Sequence, residues 1–124
     1  MSLTHKRAFA LLFFELSELT ENMVAVSSRF SFKKTSSVEI QGEPISIKYG
    51  HIMYIRFGMH VNVSLSKGTI LADVTPPKHE VLNIPIYNND GTAVGITIKT
   101  DGSIITNAST TPKGAYFVEF LCEC

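Results

Sequence analysis

Residues 48–67, KYGHIMYIRFGMHVNVSLSK, alternate with a period of two. Met53, Ile55, Phe57, Met59, Val61, Val63 and Leu65 fall on one side, and Tyr54, Arg56, His60, Asn62, Ser64 and Ser66 on the other. Side chains at i and i+2 share a face only in an extended chain, so the run predicts one long β-strand, or two strands with a bend at Gly58. A helix needs apolar residues every three or four positions, and this run does not supply them. A strand that is apolar on one side needs a partner surface, so the chain is expected to fold around a sheet.

The flanking sequence supplies further strands. Residues 37–40 and 45–49 read as two short strands, with Gly42 and Pro44 marking a turn between them. Residues 69–74 read as a strand that stops at Pro76-Pro77, because neither proline can donate to a ladder. In residues 79–87, Leu82, Ile84 and Ile86 share one face, and Pro85 on the other suggests an edge or a bulge. Asn88-Asn89-Asp90-Gly91 is a turn signal. Residues 92–100 place Val94, Ile96 and Ile98 inward and Thr97 and Lys99 outward. Asp101-Gly102 predicts a hairpin into a return strand over 103–106. Residues 108–114 read as a loop, and 115–122 as the last strand, with Tyr116, Val118, Phe120 and Cys122 opposite Glu119. Strands spaced by about ten residues predict a mainly β fold, an antiparallel β-sandwich or jelly-roll-like barrel.

The N-terminus reads differently. His5-Lys6-Arg7 and the apolar run after it resemble a signal peptide, but Glu15 follows at once with no small-x-small cleavage site. An amphipathic helix fits better. Phe9, Leu12, Leu16, Leu19, Met23, Val26 and Phe30 recur at alternating intervals of three and four, an a/d heptad stripe. Val24, Val26, Ser28, Phe30 and Phe32 also alternate as a strand would, and Asn22 can end a helix. The spacing therefore predicts an N-terminal α-helix over 5–22. Its stripe of Phe9, Leu12, Leu16, Leu19 and Met23 either packs on its own domain or assembles subunits. Residues 1–45 are read as this helix with a connecting segment, and residues 46–124 as a β head.

Eleven basic and eleven acidic residues cancel, which leaves no basic footprint for nucleic acid. No apolar run approaches the roughly 20 residues that cross a membrane, so no membrane insertion is expected. Cys122 and Cys124 form a C-x-C without further ligands at metal spacing, and His5, His51, His60 and His79 are scattered, so no metal site is expected. Asp90 and Asp101 each precede a glycine, where turn formation explains them. There is no G-x-S-x-G, phosphate loop or dinucleotide fingerprint, so neither a catalytic residue nor a cofactor is assigned. The expectation is a protein that is not an enzyme.

A family resemblance rests on the order of elements. An alternating strand precedes Ser66-x-Gly68-Thr69-Ile70 and a proline-rich loop. Then come Ile84-Pro85-Ile86-Tyr87-Asn88-Asn89-Asp90-Gly91-Thr92-Ala93-Val94-Gly95, Asp101-Gly102, Ile104-Ile105 and an aromatic final strand. Over residues 48–122 this resembles the head domains of phage and prophage tail-tip (baseplate) receptor-binding proteins of Gram-positive bacteria. The resemblance implies a homotrimer, a partnership with other tail or baseplate proteins, and attachment to host cell-wall saccharide. It places the protein in the virion, or in the bacterial cytoplasm when expressed from a prophage. The chain departs from that family in its short N-terminal part and in having no Trp, the usual sugar platform.

Saccharide binding needs an aromatic surface beside hydrogen-bonding groups. Two clusters have that chemistry: Tyr54, Arg56, His60 and Asn62 on one strand face, and Tyr87, Asn88 and Asn89 at a turn. Ile52, Phe117 and Leu121 have the wrong parity for their strands' apolar faces, which implies burial on a second side. The competing expectations are a purely structural trimeric tail component and a small glycan-cleaving enzyme, which would need a facing carboxylate pair.

Overall fold

The computed structural model describes residues 25–124. The predicted helix over 5–22 and the stripe residues Phe9, Leu12, Leu16, Leu19 and Met23 lie outside them. Among the described residues there is no helix, and 64% of them are in strands, which makes the fold mainly β and antiparallel.

Eleven strands run in chain order. They are β1 (Val26–Ser27), β2 (Phe30–Phe32), β3 (Val38–Tyr49), β4 (Ile52–Val61), β5 (Leu65–Ser66) and β6 (Ile70–Val74). The others are β7 (Val81–Asn88), β8 (Ala93–Ile98), β9 (Ser103–Thr106), β10 (Thr110–Thr111) and β11 (Gly114–Glu123). Nine form one sheet in the order β1-β3-β4-β11-β7-β8-β9-β6-β2, and β5 pairs with β10 in a small ribbon. The two edge strands, β1 and β2, are consecutive in the chain, with only Ser28 and Arg29 between them. A link that short brings the edges together, so the sheet curls into a half-barrel instead of dividing into two stacked sheets. Side chains hold the seam. Arg29 Nη2 donates to Val74 O at 2.8 Å, Ser46 Oγ donates to Arg29 O at 3.3 Å, and Ser28 Oγ lies 2.6 Å from Thr75 Oγ1.

The period-two run behaves as its pattern requires. Met53, Ile55, Phe57, Met59 and Val61 are buried inside the curl, in one core cluster with Val118, Ile86, Ile96, Ile98 and Ile104. Phe30 and Phe32 of β2 pack on Phe57, with ring centroids 5.1 and 5.9 Å away. Val26–Ser27 and Phe30–Phe32 are thus strands, and no helix runs through Val26 and Phe30.

Several boundaries differ from expectation. The long strand is shorter than residues 48–67: it begins at Ile52, after a two-residue hairpin in which Gly50 takes a φ of 58°. It runs straight through Gly58 and ends at Val61. The two short strands before it are one strand, β3, and the Gly42–Pro44 signal is an irregularity in register between Gln41 and Ile45. There β3 pairs only with β4, so the proline sits on an edge and leaves no ladder bond unmade. The expected break at residues 45–46 falls inside this strand. In β7 the register slips between Val81 and Ile84, Asn83 takes a φ of 53°, and Leu82 turns out to solvent instead of joining Ile84 and Ile86. Thr97, expected outside, is buried and its hydroxyl has no protein partner. The loop over 108–114 contains β10.

Candidate functional site

The even positions of β4 face away from the core, and its register fixes their neighbours. Ile52 stands between Tyr49 of β3 and Glu123 of β11, and Tyr54 between Ile47 and Leu121. Arg56 stands between Ile45 and Glu119, Gly58 between Gln41 and Phe117, and His60 between Glu39 and Ala115. Phe117 in turn pairs with Tyr87 of β7. The result is an outer face of five rows across three long strands, with β7 reaching it only at the Gly58 end.

Gly58 makes a dip in this face. It has no side chain, and a Cβ there would sit 3.3 Å from the Gln41 carbonyl oxygen. Around the dip is an open groove of about 370 Å³, walled by Gln41, Tyr87, Asn89 and Phe117. Tyr87 and Phe117 are 57% and 48% exposed, so two adjacent rings face solvent. The Arg56 guanidinium lies 5.1 Å from the centre of the Phe117 ring, a cation–π contact at the rim.

The residues anticipated for binding divide. Tyr87 and Asn89 line the groove with exposed side chains. Asn88 lines it too, but it is buried, and its Oδ1 accepts from the backbone N–H groups of Asp90 and Thr92, each at 2.9 Å. Its amide builds the turn that carries Tyr87 and Asn89. Tyr54 donates its hydroxyl to Glu119 Oε2 at 2.5 Å. That hydrogen bond, with burial second, raises the phenol above its ordinary pKa. His60 Nδ1 lies 2.7 Å from Asn62 Oδ1, and Asn62 is already past the end of β4. Six residues of strand separate Tyr54 from His60, about 20 Å, so these two cannot hold one sugar ring together. None of that cluster lines the groove, though Arg56 borders it through Phe117 and His60 through its cross-strand neighbour Ala115.

Sequence reasoning missed Gln41, Gly58 and Phe117 as one site. Two signals were present. Phe117 has the wrong parity for its strand's core face, and a glycine inside a strand marks a place where something approaches the backbone closely. What joins them is cross-strand register, which the alternation does not encode.

A second cavity of about 310 Å³ lies between His51, Lys78, Glu123 and Cys124. It is closed by backbone bonds, from Lys78 N to Glu123 O at 2.9 Å and from Cys124 N to His51 O at 2.8 Å. Among the described residues no three potential ligands converge on a metal position. Cys122 and Cys124 are both free thiols. Burial, and next the neighbouring Cys124, pushes the Cys122 thiol up to about 11. Its thiolate is the reactive form, so Cys122 is expected to alkylate slowly at neutral pH, with a rate rising about tenfold per pH unit up to pH 10. Peptide mass spectrometry after timed iodoacetamide pulses reads this directly, and a rate that levels off below pH 9 would contradict it.

No protein-family model matches the chain, and no curated protein matches its sequence. The fold and groove themselves define a curled antiparallel β domain with a shallow aromatic and amide-lined depression on its outer face.

Proposed function

We propose that the chain is a saccharide-binding head of the phage or prophage tail-tip kind, and that the Gly58 groove receives host cell-wall saccharide. In this reading the curled sheet is the family's jelly-roll-like barrel. The head sits beside other tail or baseplate proteins in the virion, and copies assemble as a homotrimer. The observation that carries the proposal is the cross-strand pair Phe117–Tyr87, two exposed rings beside a floor without side chains. A sugar ring has apolar faces and a hydroxyl rim. Such rings stack on the aromatic faces while the Gln41 and Asn89 amides supply both donors and acceptors to the hydroxyls. This arrangement takes the place of the absent tryptophan. The lining offers adsorption chemistry, so no bond-breaking step is proposed.

Binding of the protein to purified wall polysaccharide from a Gram-positive host tests this. Phe117→Ala and Tyr87→Ala are each expected to weaken binding about 10- to 100-fold, the loss of about 1.5–3 kcal/mol of buried aromatic surface. Both side chains are exposed, so melting temperatures should stay near that of the parent. Unchanged affinity in both variants would remove the groove from the account.

A further inference from the structure

The Gly58 groove has a direction. One register row crosses it: Gln41, Gly58, Phe117 and Tyr87, a residue each from β3, β4, β11 and β7. Four strands side by side span three spacings, about 14 Å. Along the strands the lining extends by a single row, to Ala115 and its neighbour Asn89. That is two residues of rise, about 7 Å. The depression is therefore a trough that runs across the sheet.

Neither end of the trough is walled. Beyond Tyr87 the row continues to Ala93 of β8, which is small and exposed. Beyond Gln41 it runs off the sheet, because β3 pairs there with β4 alone. A Cβ at the adjacent Gly42 would meet nothing within 4 Å. The binding chemistry is also divided along the trough. The exposed rings belong to β11 and β7, the bare backbone to β4 and the Gln41 amide to β3. A sugar stacked on both rings is centred about 12 Å from β3, two and a half strand spacings. One pyranose ring does not cover that distance, and successive units of a saccharide chain advance by a length close to one strand spacing.

We propose, resting on the reading of this groove as the saccharide site, that it takes an internal stretch of about three sugar units from a linear chain laid across the strands. The first unit stacks on Phe117 and Tyr87. The second passes over Gly58, where a side chain would lift it off the sheet. The third bonds to Gln41, and the chain continues past the β3 edge. No chain end is recognised.

The test uses neutral wall polysaccharide from a Gram-positive host, partly hydrolysed, separated by length and titrated into the full chain. Affinity is expected to rise about three- to tenfold with each unit up to the trisaccharide and then to level off. Reducing the terminal sugar of a longer fragment to its alditol should leave its affinity unchanged. Gln41→Ala should weaken the trisaccharide about three- to tenfold and leave the disaccharide as it was, whereas Tyr87→Ala should weaken both. Equal affinity for monosaccharide and trisaccharide, with Tyr87→Ala weakening each, would overturn the trough and leave the groove as the sugar site. A loss on reducing the chain end, or equal losses for both lengths in Gln41→Ala, would overturn the trough in the same way. Failure of every fragment to bind would remove the groove as well.

Discussion

Gly102→Ala is expected to cost about 3 kcal/mol or more, a large share of the roughly 5–15 kcal/mol that holds a domain together. Two effects combine. Gly102 closes the β8–β9 hairpin with a φ of 95°, a conformation that L side chains rarely adopt. A Cβ there would also stand 2.2 Å from Val74 O and 2.9 Å from Arg29 Nη2. The first clash is with backbone, which cannot rotate away. Val74 N donates to Gly102 O at 2.8 Å, and Val74 O accepts from Arg29, so the displaced carbonyl disturbs both the hairpin and the seam between the sheet's edges. Each buried bond left unmade costs about 1–3 kcal/mol. Urea denaturation reads the effect as a lower midpoint at unchanged slope. A loss under about 1 kcal/mol would mean that the hairpin does not abut Val74 as described.

Phe57→Ala is the second large effect, about 3–5 kcal/mol. Phe57 is 1% exposed and is among the largest fully buried side chains. It is the surface on which Phe30 and Phe32 rest, and those two residues carry β2. Truncation therefore removes core contacts and also the platform that holds the closing edge strand. The loss should be uneven. Hydrogen exchange at β2 and at its partner β6 should accelerate more than exchange in the β4–β11 ladder. Phe57→Leu, which keeps most of the volume, should recover much of the stability. Uniform acceleration across the sheet would contradict the role given to β2.

The fold was legible wherever a single strand's pattern decides it. Alternation from Met53 to Val61 placed five core side chains correctly, and Asp101-Gly102 named its hairpin. What was hidden depends on partners. Gly50-His51 lacks the asparagine or aspartate that usually announces a hairpin, so nothing in the sequence separates this turn from strand. Gly42 and Pro44 look alike in sequence whether they form a turn or an edge bulge, and only pairing to β4 separates the two. Leu82 lost its face to a register slip beside Asn83, and parity cannot anticipate an inserted residue. Closure of the sheet rests on β1 and β2, five strand residues of which two, Val26 and Phe30, also fit the heptad stripe.

The site followed the same division. Tyr87 and Asn89 were visible as exposed turn chemistry. Asn88 has the same chemistry but serves the turn, because its amide is the acceptor that Asp90 and Thr92 need. Tyr54, Arg56, His60 and Asn62 share one face in the sequence pattern, but strand rise spreads them along most of β4 and past its end. The groove has the turn cluster as one wall and reaches across β11 to β4 and β3, where Gly58 leaves room beside Phe117.

The most direct measurement is an NMR titration of the full chain with neutral oligosaccharides released from Gram-positive cell wall. The account predicts concentration-dependent shifts at the Tyr87 and Phe117 rings and the Gln41 and Asn89 side-chain amides, with the β6–β9 strands unmoved. Saturable shifts confined to another surface, or no shifts with wall material to which the intact protein adsorbs, would contradict it.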